Sequence, residues 1–186
     1  MSMRGTPIVA GIALFVIVAA VAFYFLQDGE KIQVTNIFTA ATTTLKPVQG
    51  RIVPLGAKEY RSTAYRFSLL YPEALVVKEY IEGGNALTVT FQDAVRGDGF
   101  QLFITPYGET QIGDERFKQD VPSGVRTELT DTTVDGATGA AFYSENALIG
   151  ETREIWFIHD SFLFEVTAPR GLDTWLAGIM QTWEFI

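Results

Sequence analysis

The chain contains one histidine, His159, and it stands beside Asp160 and Ser161, which together are the residue types of a hydrolase triad. In that chemistry the imidazole takes the serine proton while the carboxylate orients the ring. Three consecutive residues cannot normally turn their side chains toward one another in this way. The trio also separates two apolar, β-branched runs, where a hairpin needs a turn. We interpret it as a turn. The alternative, a hydrolase pairing His159 with a distant serine, lacks a G-x-S-x-G motif.

Four aspartates could offer oxygen ligands to a hard cation such as Ca²⁺. They are Asp93, Asp98, Asp131 and Asp135. The sequence has no D-x-D-x-D-G spacing, which excludes an EF-hand-like loop. We therefore interpret these carboxylates as solvated loop residues and predict no metal site.

A second acidic group, Glu151, Glu154 and Glu165, is brought together if the two aromatic runs around His159 pair as a hairpin. Paired carboxylates can perform acid/base catalysis. Arg153 lies beside them, so a ladder of surface charges is the favoured interpretation.

Arg96-Gly97-Asp98 matches an integrin-type tripeptide in a predicted loop. A match of three residues is common by chance, and Gly-Asp-Gly is ordinary turn chemistry. The sequence also has no phosphate-binding glycine loop and no dinucleotide fingerprint. It therefore predicts no catalytic, cofactor-binding or metal-binding residues, and a protein that is not an enzyme.

Composition excludes several classes of function. The chain has 14 Lys and Arg against 22 Asp and Glu, a formal net charge of −8, and no cysteine. A nucleic-acid-binding surface needs basic residues that displace counterions from phosphate, and none is evident. The absence of cysteine excludes disulfides, thiolate nucleophiles and Cys-type zinc sites.

The longest apolar run is Ile8–Leu26, nineteen residues without a charge. As a helix it would be roughly 28 Å long, close to the hydrocarbon thickness of a bilayer. Arg4 precedes it, and Asp28 and Glu30 follow it. The positive-inside rule then predicts a single-pass signal anchor with residues 1–7 in the cytoplasm and the rest of the chain outside.

Two alternatives compete with this anchor. Ala20-Val21-Ala22 fits a signal-peptidase site, so cleavage near Ala22 would give a secreted protein. The aromatic cluster at Phe23–Phe25 continues the apolar run beyond that point and favours an uncleaved anchor. A type IV pilin would carry an acidic residue inside the apolar helix, and this run has none.

Residues 27–57 are rich in threonine and punctuated by proline and glycine, which is typical of a semi-extended linker. Residues 58–186 then form one extracytoplasmic domain. Their patterns predict strands at 65–71, 75–81, 86–91, 100–105, 125–134, 138–144, 151–158 and 162–167. A short helix is predicted at 114–121, and a C-terminal helix carries Leu172, Leu176, Ile179 and Trp183 on one face.

The order of these elements predicts an α+β fold in which helices pack on a mainly antiparallel sheet. The aromatic strands 151–158 and 162–167 are expected at its centre, and the polar strand 125–134 at its edge.

Several landmarks in that order resemble the PsbP/Mog1-like superfamily over about Tyr60–Phe185. They are the Phe67–Pro72 stretch, the strand that ends at Pro106, the turn Val134–Gly136, and the closing Thr182–Phe185.

The resemblance implies an α/β/α sandwich that serves mostly as a binding or assembly module, not as an enzyme. It transfers no functional residue. The chain departs from the family at Leu75, where members often carry tryptophan after the Tyr-Pro pair.

Anchor and resemblance together lead us to expect a membrane-anchored extracytoplasmic, non-catalytic interaction or assembly module. Its expected partners are the lipid bilayer, through residues 8–26, and a protein of the cell envelope. The alternative is a small-ligand or divalent-cation-binding domain, suggested by the acidic loops and aromatic strands. A hydrolase is the weakest of the three hypotheses.

Overall fold

The structure, a computed structural model, describes residues 51–121 and 123–186. The predicted membrane segment 8–26 and most of the predicted linker 27–57 lie outside these residues. Within the described part, no helix is long and apolar enough to cross a membrane. Residues 53–186 form one unit, whose first strand begins at Ala57.

The described part of the chain contains ten strands and two α-helices, together with two short 3-10 helices at Gly83–Asn85 and Arg170–Leu172. The strands are β1 (Ala57–Ser62), β2 (Phe67–Pro72), β3 (Leu75–Ile81), β4 (Leu87–Asp93), β5 (Gly99–Pro106), β6 (Thr127–Val134), β7 (Ala137–Asn146), β8 (Gly150–His159), β9 (Phe162–Pro169) and β10 (Glu184–Phe185). The helices are α1 (Asp114–Asp120) and α2 (Asp173–Met180).

Seven strands form the main sheet, in the order β3-β4-β5-β9-β8-β7-β6, and all of its pairs are antiparallel. The aromatic pair β8 and β9 lies inside the sheet, and the polar strand β6 lies at its edge. Both placements confirm the sequence prediction. The remaining strands form a second sheet in the order β1-β2-β10.

The predicted α/β/α sandwich needs correction, because sheets dominate the domain. Its two helices have only 7 and 8 residues. The sequence did not indicate β1, whose polar residues show no alternation and which extends by pairing Tyr60 with Leu69 of β2. The C-terminal helix ends at Met180, so Trp183 lies beyond it and leads into β10.

The main core lies between one face of the large sheet and the layer made by the small sheet and α2. Aromatic rings fill its centre: Phe67 stacks on Trp183 with ring centroids 4.4 Å apart, and Trp183 meets Phe157 edge-on at 5.1 Å. Such pairs contribute about 0.5–1.5 kcal/mol each beyond the area they bury.

Helix α1 covers part of the opposite face of the large sheet. Phe117 and Val121, one turn apart, pack on Phe142, Trp156 and Leu163. Acidic residues in its first turn and a lysine in its last turn suit the helix dipole. The buried carboxylates and the clefts described below lie on this second face, under α1 and beside it.

Candidate functional site

Glu154 is a buried carboxylate in the central strand β8, opposite Thr167 of β9. Three donors surround it. The hydroxyls of Thr152 and Thr167 donate at 2.7 and 2.6 Å, and the Trp156 indole N–H donates at 3.3 Å. No lysine or arginine in the described part of the chain forms an ion pair with it.

Burial raises the pKa of Glu154 to about 7, although the three hydrogen bonds act in the opposite direction. Removing a carboxylate from water penalises its charged form, and neutral donors recover only part of that cost. Glu154 therefore exchanges its proton near neutral pH inside the folded domain.

Glu165 forms a second buried acidic group, one strand away and under α1. The Arg116 guanidinium lies 3.1 Å from its Oε1 and also pairs with Asp120. One buried cation thus serves two carboxylates. Burial raises the pKa of Glu165 well above its usual range, and the negative charge of Asp120 raises it further. The arrangement favours a protonated Glu165.

These positions correct the prediction of a surface charge ladder, which was wrong for two of its three members. Glu154 and Glu165 are each only 7% exposed, while Glu151 is at the surface and pairs with Arg170 at 3.1 Å. The sequence did contain an indication of this burial, because each of these two carboxylates lies within the aromatic run of a strand predicted at the centre of the sheet. The contribution of Arg116 could not be read from the sequence, because the chain crosses 49 positions to reach Glu165.

The acidic groups are enclosed. Neither Glu154 nor Glu165 lines the two clefts found on this face of the sheet. A general acid or base must come within hydrogen-bond reach of its substrate. We therefore assign Glu154 and Glu165 to the attachment of α1 and the stability of the sheet.

The two clefts lie beside α1, and we name them together the β6–β8 groove. The larger has a volume of about 740 Å³ and the smaller about 370 Å³. Thr110, Thr138 and Ile158 line both, so the clefts adjoin. Side chains of β6, β7 and β8 form the floor, and the 107–112 segment with Phe117 forms a wall.

The groove carries acidic groups. Asp131 lines the larger cleft, and Glu109 and Asp160 line the smaller. Asp160 pairs with Arg66 at 3.3 Å. Within the described residues, neither Asp131 nor Glu109 pairs with a lysine or arginine.

His159 lies at the end of this groove as the last residue of β8, and the turn that follows is shorter by this residue than the sequence predicted. Asp160 and Ser161 adopt φ angles of 47° and 64°, which suit a two-residue hairpin connection. The imidazole stacks on Phe185 with centroids 3.6 Å apart, and its Nε2 is 3.6 Å from Asp160 Oδ2. The structure thus confirms Asp160 and Ser161 as turn residues and places His159 in the strand before them.

The four aspartates considered as cation ligands do not converge. Asp93 ends β4 and is buried, so the prediction of a solvated loop residue was wrong for it. Asp98 lies in the β4–β5 connection, while Asp131 and Asp135 belong to β6 and the turn after it. Asp135 accepts a hydrogen bond from the Phe185 backbone N–H at 2.7 Å. No group of three or more acidic or histidine side chains within the described residues could hold a metal ion.

The Arg96-Gly97-Asp98 tripeptide forms the tip of that β4–β5 loop. Arg96 is held back by Asp93 at 2.9 Å and lies 3.7 Å from Asp98. Asp93 also accepts the backbone N–H of Val95 at 2.9 Å, and its hydrogen bonds lower its pKa. These contacts lie within the β4–β5 loop, and they stabilise the turn that the tripeptide forms.

One solved structure is similar to this chain in its fold. It is the solution structure of cyanobacterial PsbP (CyanoP) from Synechocystis sp. PCC 6803, with a TM-score of 0.51 and 13% sequence identity. The similarity covers 74% of this chain and 96% of that one. The domain has a PsbP-like fold. No protein-family model and no curated protein matches the chain.

The PsbP-like fold confirms the resemblance drawn from Phe67–Pro72 and the closing Thr182–Phe185. At this level of identity the likeness establishes the fold alone. Any function for this PsbP-like domain is therefore a proposal.

Proposed function

We propose that this chain is a membrane-anchored, extracytoplasmic module that works by binding a protein partner and not by catalysis. The observation that carries the proposal is the PsbP-like fold of the described domain. The arrangement of its reactive side chains supports a binding role, since the buried carboxylates are enclosed and the His159 ring is stacked on Phe185.

The membrane part of the proposal is supported by the sequence. Ile8–Leu26 has the length and hydropathy of a spanning helix. The charges on its two sides favour an orientation with the folded domain outside. An anchored domain diffuses in two dimensions next to other envelope proteins, which raises its effective concentration toward them.

Native electrophoresis of detergent-extracted membranes tests the binding role. We expect the untagged chain, of 20.6 kDa, to migrate in an assembly larger than its own detergent complex. A matched sample of the chain purified alone in the same detergent marks the mobility without partners. Identical mobility in the two samples would contradict the proposal.

A further inference from the structure

We propose that the β6–β8 groove binds an extended segment of the partner protein that carries lysine or arginine side chains. This inference rests on the proposed function, because it assigns the surface and the chemistry through which the partner is recognised. It draws on the shape of the groove, its charges and its hydrogen-bonding groups.

The shape of the groove suits an extended polypeptide. Small side chains, among them Thr138 and Ala140 of β7, keep the floor low, while Ile112 and Phe117 rise beside it. The larger cleft lies directly beside the smaller one, because three residues line both. Two adjoining clefts with an apolar wall can accommodate successive residues of an extended chain.

The charges of the groove select a basic segment. Asp131 lies in the larger cleft and Glu109 in the smaller, and both are exposed and without a cationic partner in the described part of the chain. The nearby Arg126 lies 4.3 Å above the Phe117 ring and is paired with Asp114. Two separated carboxylates can each meet one basic side chain.

Polar groups on the groove complete its match to a peptide. Thr110, Thr133 and Thr138 place hydroxyl groups along the lining, each able to donate and to accept a hydrogen bond. A backbone segment offers one donor and one acceptor per residue to such groups. An acidic segment would instead bring like charges together, and the net charge of −8 adds to that repulsion.

Site-specific photo-crosslinking in the full chain, expressed in its own cells, tests the inference. Benzoylphenylalanine replaces Gln111, which is exposed on the groove wall, and the matched control places it at Gln92, exposed on β4. We expect the Gln111 position to crosslink to a partner segment that contains at least two basic residues, and the Gln92 position not to reach that segment.

Charge reversal provides the second arm. The double variant Glu109→Lys and Asp131→Lys should lower the crosslinking yield about tenfold, because two attractions become repulsions. The control double variant Glu73→Lys and Glu145→Lys alters net charge equally at exposed positions outside the groove lining, and it should leave the yield unchanged. Equal thermal midpoints of the two variants establish that both fold.

Each remaining outcome overturns the inference. Crosslinks to a segment without basic residues, to a second copy of the chain, or to residues 1–50 would show a different occupant. A crosslinking yield that is unchanged by reversal of the groove charges would also overturn the inference. If the native assembly persists without a groove crosslink, the inference fails while the proposed function stands. If no assembly forms, both fail.

Discussion

Replacing Glu154 with glutamine is expected to reduce the pH dependence of folding stability. The pKa of Glu154 is raised from 4.5 to about 7 by burial, so the folded state holds a proton that the unfolded state has released. The stabilisation is therefore complete below about pH 4.5 and is lost as the pH rises toward 7. Between pH 5 and pH 8 this one group removes about 2.5 kcal/mol from the free energy of unfolding.

Glutamine has the size of glutamate and no proton to exchange in this range. Its amide oxygen can still accept the hydrogen bond of the Trp156 indole N–H, and its amide nitrogen can donate to a threonine hydroxyl that has turned over. Glu165 titrates in the same direction and is present in both proteins. Its contribution cancels in the comparison, so the difference between the two proteins isolates Glu154.

The measurement is urea unfolding of the full chain in neutral detergent at pH 5 and pH 8, followed by tryptophan fluorescence. The wild-type protein should lose about 2.5 kcal/mol more than Glu154→Gln between the two pH values. Glu151→Gln, at an exposed position of the same strand, is the matched control and should behave as the wild-type protein does. Equal losses in the wild-type protein and Glu154→Gln would refute the reasoning.

Three further substitutions test the packing. Arg116→Met leaves Glu165 and a second buried carboxylate without their cation. It should lower the free energy of unfolding in urea by about 3–5 kcal/mol at pH 8 and by less at pH 5. An equal loss at the two pH values would contradict this expectation. Gly139→Ala places a Cβ against the β8 backbone and Phe157, so it should lower the free energy of unfolding by about 1–3 kcal/mol. The control Gly178→Ala places a Cβ in open space on a helix and should raise the free energy of unfolding by about 0.5–1 kcal/mol. Trp183→Ala removes a buried ring of the main core and should lower the free energy of unfolding by about 3–5 kcal/mol. A decrease of only one or two degrees in the melting temperature would contradict this expectation.

The sequence predicted the parts of the fold that local patterns determine. The hairpin of β8 and β9 follows from two aromatic, β-branched runs with a polar turn at His159–Ser161, and the structure has that hairpin. The edge position of β6 follows from its polar residues. β1 was not predicted because its strand conformation comes from pairing with β2, the next strand in the chain, and its own residues do not encode that pairing.

The candidate site was harder to predict than the fold. Whether Glu154 and Glu165 are buried depends on where α1 packs, and that packing is set by Phe117 meeting Phe142 and Trp156 across the fold. The β6–β8 groove likewise exists because the 107–112 segment stands beside three strands that follow it in the chain. Neither feature has a signature within a short window of sequence.

The side of the membrane on which the domain lies can be measured in a single experiment. A tag placed after Ile186 reports on which side of the membrane the domain lies. Protease is added to intact cells from which any layers outside the membrane have been removed, and separately to the same cells after lysis. Since Ile8–Leu26 is proposed to anchor the chain with its N-terminus inside, protease should cleave the tag equally in both samples. Before protease is added, the tag should be found in the membrane fraction. A tag that resists protease in intact cells and is cleaved only after lysis would contradict an extracytoplasmic domain.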